Sequence, residues 1–206
     1  SKSGLGSSAS ISVAIVRAFY DFFDLKLTNS NLIELANYSE MINHTNASGV
    51  DVQTIVNNAP ILFSKEDGIT KLRIRTKGYI LLLDSNTTGK TSESVLKIKQ
   101  EMEENPEKIT KIFQDITENE KKALNASPNN FGQYLTNNHL FLKELKVSTA
   151  VLDNIIDKLI SLGADGAKLT GGGLGGSVIA YFKDKQNALH VKNILNNQYS
   201  IWISEL

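Results

Sequence analysis

Cysteine is absent from the 206-residue chain, which excludes disulfide bonds, thiolate metal sites, a cysteine nucleophile and a thiol redox switch. Net charge is also absent, because 22 Lys and Arg residues balance 22 Asp and Glu residues. A neutral chain has no bulk attraction to nucleic acid or to an anionic membrane, so neither is an expected partner. A chain without disulfides is typical of a reducing compartment, and we expect a cytoplasmic protein.

Long apolar runs are missing as well. Residues 79–83 and 178–182 are examples of the apolar stretches, and both fall far short of the roughly 18 residues that a membrane-spanning helix needs. Hydrophobic residues nevertheless make up 41% of the chain, enough to build a substantial core. We therefore expect one or two folded domains outside the membrane.

Apolar residues at helical spacing predict two helices near the start of the chain. The first covers residues 8–24, and its apolar residues indicate burial on most sides. The second runs from an N-cap at Thr28 to about Asn43. The apolar residues behind these predictions are Ile11, Ile15, Ala18, Phe19 and Phe22 in the first helix, and Leu32, Leu35, Ala36 and Ile42 in the second.

The rest of the chain mixes strand and helix patterns. β-rich runs at residues 60–64, 69–75 and 79–84 are separated by glycine-containing turns and predict adjacent antiparallel strands. This mixture has no strict βαβ alternation, so we predict an α+β fold and not a doubly wound parallel sheet. The later predicted elements are helices at 91–104, 107–124, 130–145 and 148–162, a strand at 177–182, a helix at 186–196 and a strand at 200–205.

Glycine is concentrated in one short segment. Seven of the 14 glycines fall within residues 163–176, which indicates a backbone that adopts positive φ angles or closely approaches another group. Gly171, Gly173 and Gly176 fit the G-x-G-x-x-G spacing of a dinucleotide-binding fold. An apolar strand pattern follows them, however, where that fold requires a helix. We therefore reject the dinucleotide motif.

A second glycine motif opens the first helix. The segment Gly4-Leu5-Gly6-Ser7-Ser8-Ala9 places two glycines and two hydroxyl residues at the predicted helix start. Unpaired backbone N–H groups and the positive end of the helix dipole would face a phosphate there, and a serine hydroxyl could reach a metal bound to it. An ordinary serine-capped helix has the same local sequence. The local sequence leaves both interpretations open.

A group of polar residues ends the second predicted helix. Glu40, His44 and Asp51 lie in a segment that contains a glycine turn. A carboxylate that a turn delivers can serve as a general base or a metal ligand. By position alone, Glu40 is expected on the solvated edge of its helix, and His44 is expected to form a structural hydrogen bond. His139 and His190 have no partner pattern, and we expect structural or surface roles for them.

Taken in order, these segments resemble the motifs of a known family. Residues 4–9, 44–51 and 168–176 are similar to motifs of the GHMP kinases, and within that family to those of the mevalonate kinases. The similarity extends along essentially the whole chain. Residues 202–206 resemble the end of the bacterial members.

The resemblance implies the GHMP kinase fold, an α+β arrangement of two domains. Residues 1–77 would be the remainder of an S5-domain-2-like N-terminal domain, which binds ATP, and residues 78–206 a ferredoxin-like C-terminal domain with extra helices. Members of the family continue upstream of the phosphate-binding loop with further strands and a basic motif. The resemblance therefore implies that this chain lacks an N-terminal portion, and that this portion is a partner needed for activity.

The resemblance also implies a role for each motif, with ATP and Mg²⁺ as the cofactors. Ser8 and Glu40 correspond to Mg²⁺ ligands, and Asp51 corresponds to the acid that orients or deprotonates the substrate hydroxyl. The positions that correspond to nucleotide-binding residues are Gly4, Leu5, Gly6, Ser7, Ser8 and Ala9 in the phosphate loop, and Gly171, Gly172 and Gly173 in the third motif.

The implied reaction transfers the γ-phosphoryl group of ATP to the 5-hydroxyl of mevalonate, a step in isoprenoid precursor synthesis. Such a transfer needs mainly positioning and charge neutralisation. Two alternatives stay open. One is another GHMP kinase that acts on a small hydroxylated acid or sugar, and the other is a catalytically silent GHMP-type module that binds nucleotide. Homodimers occur in the family, so a homodimer is also open.

Two segments depart from the family pattern. Ala47 stands where the family usually has proline, and Asp84-Ser85-Asn86 stand where bacterial members usually have Asp-Thr-Gly. Alanine leaves the turn beside the expected catalytic acid looser than a φ-locked proline would. We therefore expect the change at Ala47 to alter the reaction rate and not the chemistry.

Overall fold

The structure is a computed structural model that describes residues 5–43, 48–64, 68–73, 75–89 and 91–206. The chain divides into two compact units, which we call the first unit (residues 6–73) and the second unit (chiefly residues 74–206). Both contain helices and antiparallel strands. The predicted α+β class is therefore confirmed.

Three helices form the core of the first unit. They are α1 (Ser7–Phe22), α2 (Asn29–Asn43) and α3 (Val50–Asn57). Helix α1 packs against both of the others. The side chains between them are small or medium in size, which allows the helices to approach closely. These buried residues are Ala9, Val13, Leu32, Ala36, Val52 and Val56.

The expectation that the first helix is buried on most sides is wrong. Ile11, Ile15 and Phe19 are each more than half exposed, and Phe22 is 82% exposed. The predicted helical period is correct. Ile11, however, is two positions after the buried Ala9, and two residues that far apart on a helix point about 200° away from each other. Because Ala9 and its helical neighbours face α2 and α3, the larger apolar residues fall on the opposite side.

The start of α2 agrees with the prediction, whereas α3 is an unpredicted element. The Asn31 N–H donates to Thr28 Oγ1 at 3.2 Å, as an N-cap serine or threonine does. Gly49 then caps α3 with a φ of +78°. Asp51 therefore lies on the first turn of a helix, and the expectation that a turn delivers it is wrong.

The three predicted adjacent strands separate into two sheets. Strands β1 (Ile61–Ser64) and β2 (Gly68–Lys71) pair antiparallel in the first unit. Strand β3 (Tyr79–Asp84) instead pairs with two later strands in the second unit. Its side chains are intermediate or buried along its whole length, which suits a central strand and not the third strand of a small exposed hairpin.

The second unit is built on a four-stranded antiparallel sheet. Its strands are ordered β4-β5-β3-β6, where β4 is Gly166–Leu169, β5 is Ser177–Phe182 and β6 is Ile201–Glu205. This is the strand order of a ferredoxin-like fold, and it confirms the expected C-terminal fold class. The helices are α4 (Thr91–Glu104), α5 (Pro106–Ala123), α6 (Phe131–Glu144), α7 (Ala150–Ser161) and α8 (Lys185–Leu195).

Most predicted bounds in the second unit lie within two residues of the observed ones. Strand β4 is the exception, because residues 166–169 (Gly-Ala-Lys-Leu) are too few and too mixed to form a strand pattern. The main core lies between the sheet and helices α7 and α8, with Leu81, Leu159 and Phe182 fully buried. Within the described ranges, none of the helices combines the length and apolarity needed to cross a bilayer.

Candidate active site

The carboxylate of Glu40 is buried where α1 and α2 meet. The residue is only 8% exposed, so the expectation of a solvated helix edge is wrong. Leu32, Ala36 and Glu40 are spaced by four residues, which places all three on the buried face of α2. Ser8 Oγ donates to Glu40 Oε1 at 2.7 Å. Two residues that the family resemblance matched to metal ligands are therefore in direct contact.

Asp51 lies against the start of α1. A methyl group added to Gly6 would lie 3.2 Å from both Cβ and Cγ of Asp51, and Gly6 has a φ of +64°. Both the backbone conformation and the close neighbour therefore favour glycine at this position. The contact brings the carboxyl group of Asp51 beside the proposed phosphate loop.

The first turn of α1 has the properties of an anion site. Gly6 caps the helix without a side-chain hydrogen bond, and no acidic residue occupies the first turn. The N–H groups at residues 7–9 are the ones that an α-helix leaves without internal partners. Together with the positive end of the helix dipole, they can bind a phosphate group.

The electrostatic surroundings of Asp51 favour the protonated form. Partial burial of the carboxyl group and the negative charge of Glu40 both raise its pKa above the ordinary value, although the residue as a whole is exposed. A carboxylate with a raised pKa accepts a proton more readily than an ordinary one. Asp51 is therefore suited to act as a general base.

The residues present fit a magnesium ion. Glu40 is buried, and no Lys, Arg or His within the described ranges forms an ion pair with it. The atoms available to ligate a metal are the oxygens of Ser8 and Glu40, and oxygen is the hard ligand that Mg²⁺ prefers. No cluster of three acidic or histidine residues occurs in the described part of the chain. A site with so few protein ligands suits Mg²⁺, which usually completes its shell with water and phosphate oxygens.

The glycine segment of the second unit connects β4 to β5. Gly171, Gly173, Gly175 and Gly176 all have positive φ angles, and so does Leu174 between them. The Leu174 N–H donates to the carbonyl of Val147 at 2.8 Å. The expectation of a backbone with positive φ angles is therefore confirmed.

Two of these glycines approach other parts of the second unit closely. A Cβ atom on Gly172 would lie 2.6 Å from Thr91 Oγ1, and one on Gly173 would collide with the Val147 carbonyl. Part of the glycine enrichment thus results from packing within the protein and is independent of any ligand.

Residues 84–87, which include the departure from the family's Asp-Thr-Gly pattern, form hydrogen bonds with the end of this loop. Ser85 N–H donates to the Gly176 carbonyl at 3.1 Å, and Gly176 N–H donates to the Thr87 carbonyl at 2.8 Å. Asn86 has a φ of +58°, and its N–H donates to Asp84 Oδ1 at 3.0 Å. Asparagine tolerates this left-handed conformation better than most residues, which explains how it can occupy a glycine position.

The structure gathers part of the predicted set in the first unit. Gly6, Ser8, Glu40 and Asp51 form one cluster there, whereas Gly171, Gly172 and Gly173 belong to the second unit. Leu5 and Ser7 are exposed, and Ala9 is fully buried in the helical core, so only its backbone is available to a ligand. The predicted residues Gly4 and His44, and the departure at Ala47, lie outside the described residues.

Ser12 is a site residue that the sequence analysis missed. It is 7% exposed, and its Oγ donates to Glu40 Oε1 at 3.1 Å. The available signal was a hydroxyl residue one helical turn after Ser8, on a helix face otherwise occupied by Ala9 and Val13.

The two remaining histidines lie in the second unit. His139 is buried on α6, with Nε2 3.2 Å from Asp153 Oδ1, whereas His190 is exposed on α8. Neither ring nitrogen of His139 has a well-aligned hydrogen-bond partner among the residues that the structure describes. The predicted structural or surface placement of both is confirmed.

Two family models match the chain. The model for the GHMP kinases N terminal domain matches residues 1–58, and the model for GHMP kinases C terminal matches residues 120–201. The observed division into two units separates these two matched regions.

Curated relatives with similar sequences are named mevalonate kinase. The protein of Thermococcus sibiricus is 30% identical over 193 residues, which cover 89% of this chain and 57% of the relative. The protein of Methanocaldococcus jannaschii is 30% identical over 197 residues, which cover 93% of this chain and 61% of the relative. The chain thus spans less than two thirds of the length of these relatives.

Solved structures agree with these matches. The crystal structure of the Methanococcus jannaschii mevalonate kinase is 27% identical, with a TM-score of 0.85 over 98% of this chain and 63% of its own. The L. major mevalonate kinase in complex with R-mevalonate has a TM-score of 0.91 over 100% of this chain and 67% of its own. At 24% identity, the second likeness supports the fold alone.

Proposed function

The chain belongs to the GHMP kinase family, and on that premise we propose that it is the larger part of a mevalonate kinase. The proposed reaction transfers the γ-phosphoryl group of ATP to the 5-hydroxyl of mevalonate. The names of the curated relatives support this substrate. We further propose that the activity belongs to the complete protein and that its compartment is the cytoplasm.

One observation of the first unit carries the proposal. Ser8, Glu40 and Asp51 lie around the N-terminus of α1. Gly6 contacts Asp51, and Ser8 donates a hydrogen bond to Glu40. This arrangement combines an anion site, hard metal ligands and a base with a raised pKa. A phosphoryl transfer from a nucleotide to an alcohol requires these three functions.

The residues have separate tasks in the proposed reaction. The N–H groups at the start of α1 bind the phosphates, and Asp51 accepts the proton of the attacking hydroxyl. The new bond forms between that oxygen and the γ-phosphorus, while the bond to the bridging oxygen breaks and its electron pair leaves with ADP. No covalent enzyme intermediate is needed, because the catalysis consists of positioning and charge stabilisation.

Ser8 and Glu40 would hold Mg²⁺ beside the phosphates. When bound, the ion neutralises charge that develops on the phosphate oxygens. Glu40 is suited to this task because its charge is buried and it has hydroxyl partners on α1. For the second unit we propose, as a separate point, that the backbone of Gly171–Gly173 binds nucleotide, because residues without side chains allow close approach.

An assay of ADP release tests the proposal. It would be run with ATP, Mg²⁺ and mevalonate, on this chain alone and on a longer form that adds the upstream residues typical of the family. We expect mevalonate-dependent ADP release from the longer form only. A longer form that binds ATP but does not respond to mevalonate would contradict the substrate and favour another GHMP kinase or a silent module.

A further inference from the structure

We propose that Ser12 is a positioning residue for Glu40 and that it sets the affinity of the site for its divalent cation. The inference rests on the proposed function, because it concerns the same metal site. Ser12 lies one helical turn after Ser8 on α1, so both hydroxyls face the same side of the helix. Ser8 is only partly buried, whereas Ser12 lies deeper at 7% exposure.

Ser12 donates one hydrogen bond to Glu40 and accepts another from Ser39. Its Oγ lies 3.1 Å from Glu40 Oε1 and 3.1 Å from Ser39 Oγ. An ionised carboxylate can only accept, so the single hydroxyl proton of Ser12 is donated to Glu40. In its bond with Ser39, Ser12 is therefore the acceptor. The result is a directed chain from Ser39 through Ser12 to the carboxylate.

Glu40 consequently receives two hydroxyl protons at one oxygen. Ser8 donates to Oε1 at 2.7 Å and Ser12 donates to the same atom at 3.1 Å. Both donors are on one rigid helix, so together they restrict the rotation of the carboxylate. Partners of this kind orient a metal ligand, and their loss typically weakens metal affinity 10–100-fold.

The two serines differ in what they can touch. Ser8 is partly exposed in the first turn of α1 and is the residue matched to metal ligation, whereas Ser12 is buried and bonds to residues of α2. Ser12 therefore acts on the cation through Glu40 and does not contact it. Loss of its hydroxyl should raise the cation concentration that the site requires, while leaving the KM for mevalonate unchanged.

Manganese binding tests this inference without relying on turnover. The complete protein would be titrated with Mn²⁺ in the presence of ADP, free Mn²⁺ would be followed by electron paramagnetic resonance, and the Mn²⁺ bound by ADP alone would be measured and subtracted. We expect Ser12→Ala to weaken Mn²⁺ binding about 10–100-fold. Threonine and valine have nearly the same shape, but only threonine has a hydroxyl. The Ser12→Thr protein should therefore bind Mn²⁺ more tightly than the Ser12→Val protein. Ser10→Ala, an exposed change on the same helix, is the control.

The outcomes separate this inference from the proposed function. Unchanged Mn²⁺ affinity in a folded Ser12→Ala protein would overturn it, as would equal affinities for the Thr and Val variants. The Thr and Val pair decides the question if the Ala variant fails to fold. Glu40→Gln should abolish most Mn²⁺ binding, and a failure there would remove the proposed metal site itself. A loss with Glu40→Gln but not with Ser12→Ala would overturn the Ser12 inference alone.

Discussion

Two carboxylates of the first unit differ in their surroundings, and the difference supports the separate roles proposed for them. Glu40 is buried and accepts hydrogen bonds from serine hydroxyls, which suits a fixed metal ligand. Asp51 is exposed and lies against the backbone of Gly6, and its pKa is raised. A group of this kind can exchange a proton with a substrate.

Replacing Asp51 by Asn tests the assignment of the base. The amide cannot accept the hydroxyl proton, so we expect kcat to fall about 10²–10⁴-fold, the usual contribution of a general base. Nucleotide affinity should not decrease, because the N–H groups of α1 are unchanged. Rates and ATP binding would be measured in the complete protein, with the exposed Asp21→Asn as control. An Asn variant with the parental rate would rule out Asp51 as the base.

His139 makes the second unit sensitive to pH. Burial lowers its pKa below the ordinary value of 6.5, although Asp153 opposes this effect. Burial alone would raise the pKa of Asp153, but hydrogen bonds from Ser148 and Lys143 lower it below 3.8.

We expect the second unit to lose stability as the pH falls through 6.5. Below that value the unfolded chain takes up a proton at position 139 that the folded chain resists, so unfolding becomes more favourable. Urea unfolding followed by the fluorescence of Trp202, the single tryptophan, would be compared at pH 7.5 and pH 5. His139→Gln should reduce this pH dependence, and the exposed His190→Gln should not. Equal pH dependence in all three proteins would contradict this prediction.

At the scale of elements, α6 and β4 approach so closely that only glycine fits between them. A Cβ on Gly132 would collide with the carbonyl of Asp165, and one on Gly166 would collide with the carbonyl of Gly132. The contact places the helix directly on the strand that leads into the glycine loop. This pair of glycines therefore helps to position that loop.

Replacing Gly132 by Ala tests the contact, because a tight contact and an open one predict changes of opposite sign in the free energy of unfolding. In a helix this change normally stabilises by up to about 1 kcal/mol. Here the added methyl group forces α6 away from β4, and we expect destabilisation by about 1–3 kcal/mol. Urea unfolding monitored by Trp202 would measure it, with Gln133→Ala on the exposed side of α6 as control. An increase in stability would show that the contact is not tight.

The sequence predicted elements of this size well where the signals were local. Prolines and helical spacing located α4 to α7, and the run at residues 177–182 located β5. Pairing was not predictable in the same way, because β3 meets partners about a hundred residues away. The buried face of α1 was also misassigned, since that face consists of the small residues Ala9, Ser12 and Val13 and not of the larger apolar ones.

The candidate site was also only partly predictable from local sequence. The resemblance matched Ser8, Glu40 and Asp51 to roles, but spacing alone indicated a solvated Glu40 and gave no role to Ser12. Burial of these side chains depends on how α1, α2 and α3 pack, which no local pattern records.

At the scale of the whole molecule, the chain consists of two units, and each contains some of the residues that the resemblance matched to ligand binding. The proposed metal ligands and the proposed base lie in the first unit, and the glycine loop lies in the second. The predicted boundary between residues 77 and 78 remains a prediction for the domains of the complete protein. The chain also spans only 57–61% of the length of the two curated relatives described above, so the proposed activity concerns the complete protein.

Phosphorus NMR of the reaction mixture tests the central claim most directly. The complete protein would be incubated with ATP, Mg²⁺ and mevalonate, and the fate of the γ-phosphorus would be followed. We predict that the γ-phosphate signal of ATP is replaced by a phosphomonoester signal coupled to the protons on carbon 5 of mevalonate. Conversion of ATP to inorganic phosphate alone, or no conversion by a protein that binds ATP, would contradict the claim.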